Sequence, residues 1–104
     1  MAVVELNGNR IKDWPTFFQY SAEAFAKPEL TELSRPEDWG QWIGTLSDVA
    51  GLESAEELRI EVEDTQRFAE RAPEILTRFV WAIGWVNRQH TMLGRRPHII
   101  VQFR

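Results

Sequence analysis

The apolar positions of this 104-residue chain change period several times, and each change marks an element. Val3 to Leu6 is a short β-prone run stopped by Asn7-Gly8, a dipeptide that favours a tight turn. Asp13 stands where it can cap a helix whose first turn accepts Pro15, and Phe17, Phe18, Tyr20, Ala24 and Phe25 supply that helix's apolar surface. Lys27-Pro28 should end it, because the residue before a proline resists the helical basin. Residues 28–36 read as a polar connection. In the next segment, PEDWGQWIGTLSDVA over 36–50, winding at about 100° per residue puts Trp39, Ile43, Leu46 and Ala50 on one stripe. Gln41, Gly44 and Asp48 fall on the opposite side, and Gly51 is a plausible stop.

A second polar connection, residues 53–57, leads to Leu58-Arg59-Ile60-Glu61-Val62-Glu63. That alternation predicts a strand with one buried and one wet face. Thr65 is placed to cap a short helix through Arg71, and Pro73 suits the first turn of a longer one with Leu76, Phe79, Ile83 and Val86 as its core stripe. Gly94 and Pro97 punctuate the exit, and His98 to Phe103 reads as a closing strand with Ile99, Val101 and Phe103 on one face. Strands separated by helices cannot pair as hairpins, and right-handed crossovers give a parallel sheet. The expectation is a single α/β domain over 1–104: a small three-stranded parallel sheet with helices packed mainly on one face.

Composition narrows the chemistry. With no cysteine, disulfides, thiolate catalysis and Cys-based metal sites are excluded. No apolar run is long enough to cross a bilayer and no signal-peptide pattern opens the chain, so a soluble, cytoplasmic protein is expected. Residues 23–64 carry twelve Asp/Glu against three Lys/Arg, whereas residues 65–104 carry two against seven. Such segregation either makes a directional field or is interleaved by folding.

Catalytic constellations are missing from the chain. His90 and His98 are eight apart with no metal-ligand spacing and read as ordinary surface or strand-end histidines, and no glycine-rich phosphate loop or nucleophile elbow occurs. Ser47 and Asp48 are neighbours on a helix and point about 100° apart. No catalytic residue, metal or cofactor is therefore expected. The arginines, Arg95-Arg96 among them, read as solvated helix charges rather than a nucleic-acid surface on a chain of net charge −4. Trp81 and Trp85 are an i, i+4 pair pointing away from the core stripe, flanked by Arg78 and Arg88. They fit either an interface hot spot or a helix buried all round. Trp42, on the rim of its own helix's stripe, poses the same question.

The order of elements and the 36–50 segment resemble the barstar family of intracellular ribonuclease inhibitors. The resemblance is carried by the opening V-x-L-N-G with Ile11 downstream, then by Pro36, Trp39, Gly40, Leu46 and Asp48 in the pattern P-x-x-aromatic-G-x₅-L-x-D. It implies a protein that plugs the active site of a nuclease toxin, with Asp48 in the position of a principal carboxylate that mimics substrate phosphate. The implied partner-facing residues are Asp38, Gly40, Gln41, Trp42, Gly44, Ser47 and Asp48, with no direct contact to nucleic acid or membrane. The family usually has asparagine at the position of Trp42, a second aspartate at that of Gly44 and tryptophan at that of Ser47, while its long-helix glutamate aligns with Ala82. About eight extra residues also separate the first helix from Pro36. Retained architecture with a rewritten surface implies immunity against a different toxin. The alternative is a non-inhibitory interaction or assembly domain using Trp81 and Trp85.

Overall fold

Three strands pair in parallel in the order they occur along the chain. The computed structural model describes residues 2–50, 57–94 and 99–104. The expected stop at Gly51, the Arg95-Arg96 doublet, Pro97 and His98 lie outside the described residues, as does the side chain of Ala50. Strands β1 (Ala2–Asn7), β2 (Leu58–Glu63) and β3 (Ile99–Phe103) form one sheet in the order β1-β2-β3. Val4 lies beside Ile60 and Val101, and Leu6 beside Val62 and Phe103. The period of two turns these rows to one side, where Leu6, Leu58, Ile60, Val62 and Ile99 are buried. On the other side Val3, Glu5, Ile100 and Gln102 are exposed. Helices α1 (Trp14–Phe25) and α4 (Pro73–Met92) pack against β1 and β3, and the short α3 (Thr65–Arg71) packs on the turn after β1. The architecture is thus the expected small α/β domain with a three-stranded parallel sheet.

Local chemistry sets most element ends. Asp13 caps α1 reciprocally: its carboxylate accepts from the Thr16 backbone N–H at 2.9 Å, and the Thr16 hydroxyl accepts from the Asp13 N–H at 3.1 Å. The helix closes at Ala26, in the left-handed region with φ 55°. Gly8 is required by close approach. A Cβ there would stand 2.7 Å from the Glu63 carbonyl oxygen and 2.8 Å from the Phe68 Cβ.

Four sequence expectations are corrected. Residues 28–36 are more than a polar connection: a 3₁₀ turn over Pro28–Glu32 delivers Leu30 into the core, and Leu33 follows it. Single apolar residues in a polar stretch carry no period, so the pattern could not show this. Thr65 does not cap α3 through its side chain; its hydroxyl donates to the Val62 carbonyl at 3.3 Å, and Asp64 precedes the helix at φ 51°. The core face of α4 is Ile75, Phe79, Ala82, Ile83 and Val86, with Leu76 only half-buried at its margin. His90, expected at the surface or a strand end, is fully buried on that same face.

Acidic and basic segments meet at the last strand. Arg104 reaches Glu61 at 3.2 Å and Glu63 at 3.6 Å, so the linear charge segregation is interleaved at this end of the sheet. On the outer edge of β3, a side chain stands in for a missing neighbour strand. Asn87 of α4 donates through Nδ2 to the Ile99 carbonyl and accepts at Oδ1 from the Ile99 N–H, both at 2.9 Å. This pair of hydrogen bonds satisfies the Ile99 backbone groups and ties α4 to the sheet. Asn87→Ala should therefore cost about 1–3 kcal/mol, the penalty of stranding partly buried backbone groups. Urea unfolding with the midpoint unchanged would refute the clamp.

Candidate functional site

The helix that carries the candidate contact residues begins in a pinned turn. A 3₁₀ turn over Pro36–Asp38 runs directly into α2 (Trp39–Ala50). One oxygen of Asp38 accepts from the backbone N–H groups of Ser34 at 3.0 Å and Arg35 at 3.1 Å. These two donors, Ser34 first, hold the Asp38 carboxyl below its ordinary 3.8, and the Arg35 charge adds to the effect. Asp38 is only partly exposed, and that oxygen is engaged in setting the angle at which α2 leaves the loop.

The helix is rotated from the phase its sequence suggests. Trp42 and Leu46 are fully buried, while Trp39, Ile43 and Val49 are half-buried around them. The core direction is thus turned about 50° from the Trp39–Ile43–Leu46–Ala50 stripe toward Trp42. Trp42 is the clearest correction: expected at the rim and among partner-facing residues, it has no exposed surface. Its ring stacks on Trp39 at 4.7 Å and 8°, and lies 5.0 Å from Phe17 and 6.0 Å from Phe79. Partners on α1 and α4 capture it, and nothing in the α2 sequence contains that information. Ser47 is half-buried, with its hydroxyl donating to the Ile43 carbonyl at 3.1 Å. Ala82 is buried on the core face of α4, so that position presents nothing to a partner.

Four of the seven nominated residues come together on the solvent side. Gly40, Gln41, Gly44 and Asp48 are all exposed and share the outer face of α2. A Cβ at Gly40 or Gly44 would meet nothing within 4 Å. Packing therefore does not require glycine at either position, although each costs about 1 kcal/mol of helix stability relative to alanine. The face offers one carboxylate, one amide and accessible backbone. It holds no nucleophile beside a base. Its chemical capability is recognition, with Asp48 available to accept charge-assisted hydrogen bonds from a cationic surface.

The second nominated surface is open. Trp81 is 56% and Trp85 39% exposed, which excludes a helix buried all round, and their rings lie near-parallel with centroids 6.5 Å apart. Arg78 packs instead across Trp14 of α1 at 5.5 Å. A polar hollow of about 610 Å³, with no signature in the sequence pattern, is lined by Asp64, Gln66, Arg67, Glu70 and Arg104. It lies beside the C-terminal ends of β2 and β3, where parallel α/β folds commonly bind ligands. Its charges are mixed, and part of the lining is already paired: Gln66 donates to Glu70 at 3.2 Å, and Arg104 is held by Glu61 and Glu63. Among the described residues no group of three or more His, Asp or Glu is arranged to hold a metal ion. No helix among them is long and apolar enough to cross a membrane.

The fold and this helix define a class, a small parallel α/β domain whose helix α2 turns a polar face outward. Compared with models of protein families and with curated proteins, the chain matches none.

Two expectations follow from the site. Gly44→Ala should raise stability by about 0.5–1 kcal/mol, because it adds helix propensity and meets no neighbour; a loss in urea unfolding would mean that packing does require the glycine. Asp38, with its lowered folded-state value, contributes stability above the ordinary 3.8 that is lost as pH falls through the folded value. The gap in urea midpoint between wild type and Asp38→Asn should therefore shrink from about pH 6 to about pH 3. A gap independent of pH would remove the carboxylate from this role.

Proposed function

We propose that this protein is a cytoplasmic inhibitor of the barstar-like kind, which binds a toxic ribonuclease or other nuclease toxin, occludes its active site and so confers immunity. The observation that carries the reading is the outer face of α2. There Asp48 stands exposed with Gln41 and two glycines whose Cβ positions open to solvent. Nuclease active sites concentrate Arg, Lys and His to bind phosphate, and an exposed carboxylate on a rigid helix matches such a cluster. The bare backbone at Gly40 and Gly44 lets a partner approach the helix closely. Binding, not catalysis, is the function this surface suits.

The element order, strand-helix-helix-strand-helix-helix-strand in a parallel sheet, also agrees with the family that the 36–50 motif resembles. The contact face differs from that family's in its chemistry. Trp42 is withdrawn into the core, and Asp38 supports the loop, which leaves Asp48 as the principal anion. A second reading is favoured by the exposed Trp81/Trp85 pair: a non-inhibitory interaction or assembly domain that uses that surface.

Titration calorimetry against a panel of small basic nucleases and nuclease toxin domains tests the inhibitor reading. A cognate partner should bind 1:1 and lose its nuclease activity. Asp48→Ala should weaken that complex by roughly 10–100-fold, the value of a hydrogen bond to a charged group. Added salt should weaken it further. A complex indifferent to both changes would exclude Asp48 as the inhibitory anion.

A further inference from the structure

The outer side of α4 carries a chemical pattern that becomes its own complement when the helix is reversed. Steps of seven from Glu74 reach Trp81 and Arg88, and steps of seven from Arg78 reach Trp85 and Met92. Seven residues are just under two helical turns, so these side chains form a seam along one side of the helix. The seam lies opposite the buried Phe79, Ala82 and Val86. It is uncovered: Trp81, Trp85 and the 72%-exposed Met92 all face solvent, and the Glu74–Arg78 pair at 3.7 Å is open as well. An acid stands at one end, a base toward the other, and two indoles lie between.

We propose that α4 pairs with α4 of a second copy of this chain, antiparallel, about a two-fold axis at Trp81. The inference deepens the assembly reading of Trp81 and Trp85 and is independent of Asp48. A two-fold contact requires that each residue meet its counterpart at equal distance from the axis. Trp81 then meets Trp81 of the second copy. Seven residues to either side, Glu74 of each copy meets Arg88 of the other, so one attractive pair occurs twice. Four residues out, Trp85 covers Thr77 of the second copy.

Three residues out, Gly84 faces Arg78 of the second copy. A Cβ at Gly84 would meet nothing within 4 Å, so no internal contact requires glycine in the middle of this 20-residue helix. A neighbouring helix that must approach closely beside Trp81 and Trp85 gives it a reason. Antiparallel pairing also opposes the helix dipoles, whereas parallel pairing in register would set Glu74 against Glu74 and Arg88 against Arg88. An unrelated partner would not need the acid and the base at equal distances from Trp81. A second copy does.

Sedimentation velocity on the full chain tests this, with circular dichroism confirming that each variant stays folded. The wild type should show a concentration-dependent monomer–dimer equilibrium, which Trp81→Ala shifts toward monomer. Glu74→Arg and Arg88→Glu should each weaken the dimer roughly tenfold, because two surface attractions become two repulsions. Mixing the two variants should restore it as a heterodimer, since one chain then carries bases at both ends of the seam and the other carries acids. A wild type that stays monomeric at every concentration overturns the pairing. A dimer lost on Trp81→Ala but indifferent to the charge reversals, or not restored by mixing, overturns the antiparallel register while leaving the assembly reading standing.

Discussion

The burial of one indole, Trp42, is the interaction on which the candidate surface depends. Helix α2 does not lie in the sheet layer's main contacts; it meets α4 and the turn that precedes it. What holds it is a cluster of rings. Trp42 stacks on Trp39 and touches Phe17 and Phe25 of α1 and Phe79 of α4. Its Nε1–H has no acceptor among the described residues, which costs about 1–3 kcal/mol. Burying an indole of this size returns about 5 kcal/mol by area, so the apolar term wins and the ring stays in.

That one packing decision sets the rotation of α2, and the rotation decides what the helix shows. With Trp42 and Leu46 inward, Gly40, Gln41, Gly44 and Asp48 are turned outward together. Asp38 then fixes where the helix starts by holding the Ser34 and Arg35 N–H groups. Two further costs are carried on the same surface, the glycines that lower helix stability without any packing need. Stability lost at positions that contact nothing inside the molecule is the kind of local inconsistency expected at a recognition surface. α4 repeats the arrangement. Its Phe79 face joins the ring cluster, and its other face exposes two stacked indoles around an unforced glycine.

Much of the fold was legible because it rests on local periodicity. The alternation Leu58 to Glu63 could bury only one set of side chains, and the Asp13 cap and Pro73 start are chemistry of adjacent residues. Strands separated by helices left parallel pairing as the topology. Asp48, Gln41 and Gly44 were readable as outward-facing because every plausible phase of the helix puts them away from the apolar residues.

Tertiary structure alone decided the rest, wherever several local answers were nearly equal. Helix α2 has apolar residues on more than one stripe, and only rings from α1 and α4 determine that Trp42 goes in. Leu30 and Leu33 enter the core from turns too short to have a period. Asp38, by contrast, supports its loop through local chemistry, because the Ser34 and Arg35 N–H groups it accepts lie only a few residues back along the chain. Trp81 and Trp85 were ambiguous for the converse reason: an apolar helix can be buried all round, and only the absence of a covering element among the described residues leaves them exposed. Sequence determined the elements and their order, since those follow from neighbours along the chain. The faces those elements present follow from contacts between residues far apart in it.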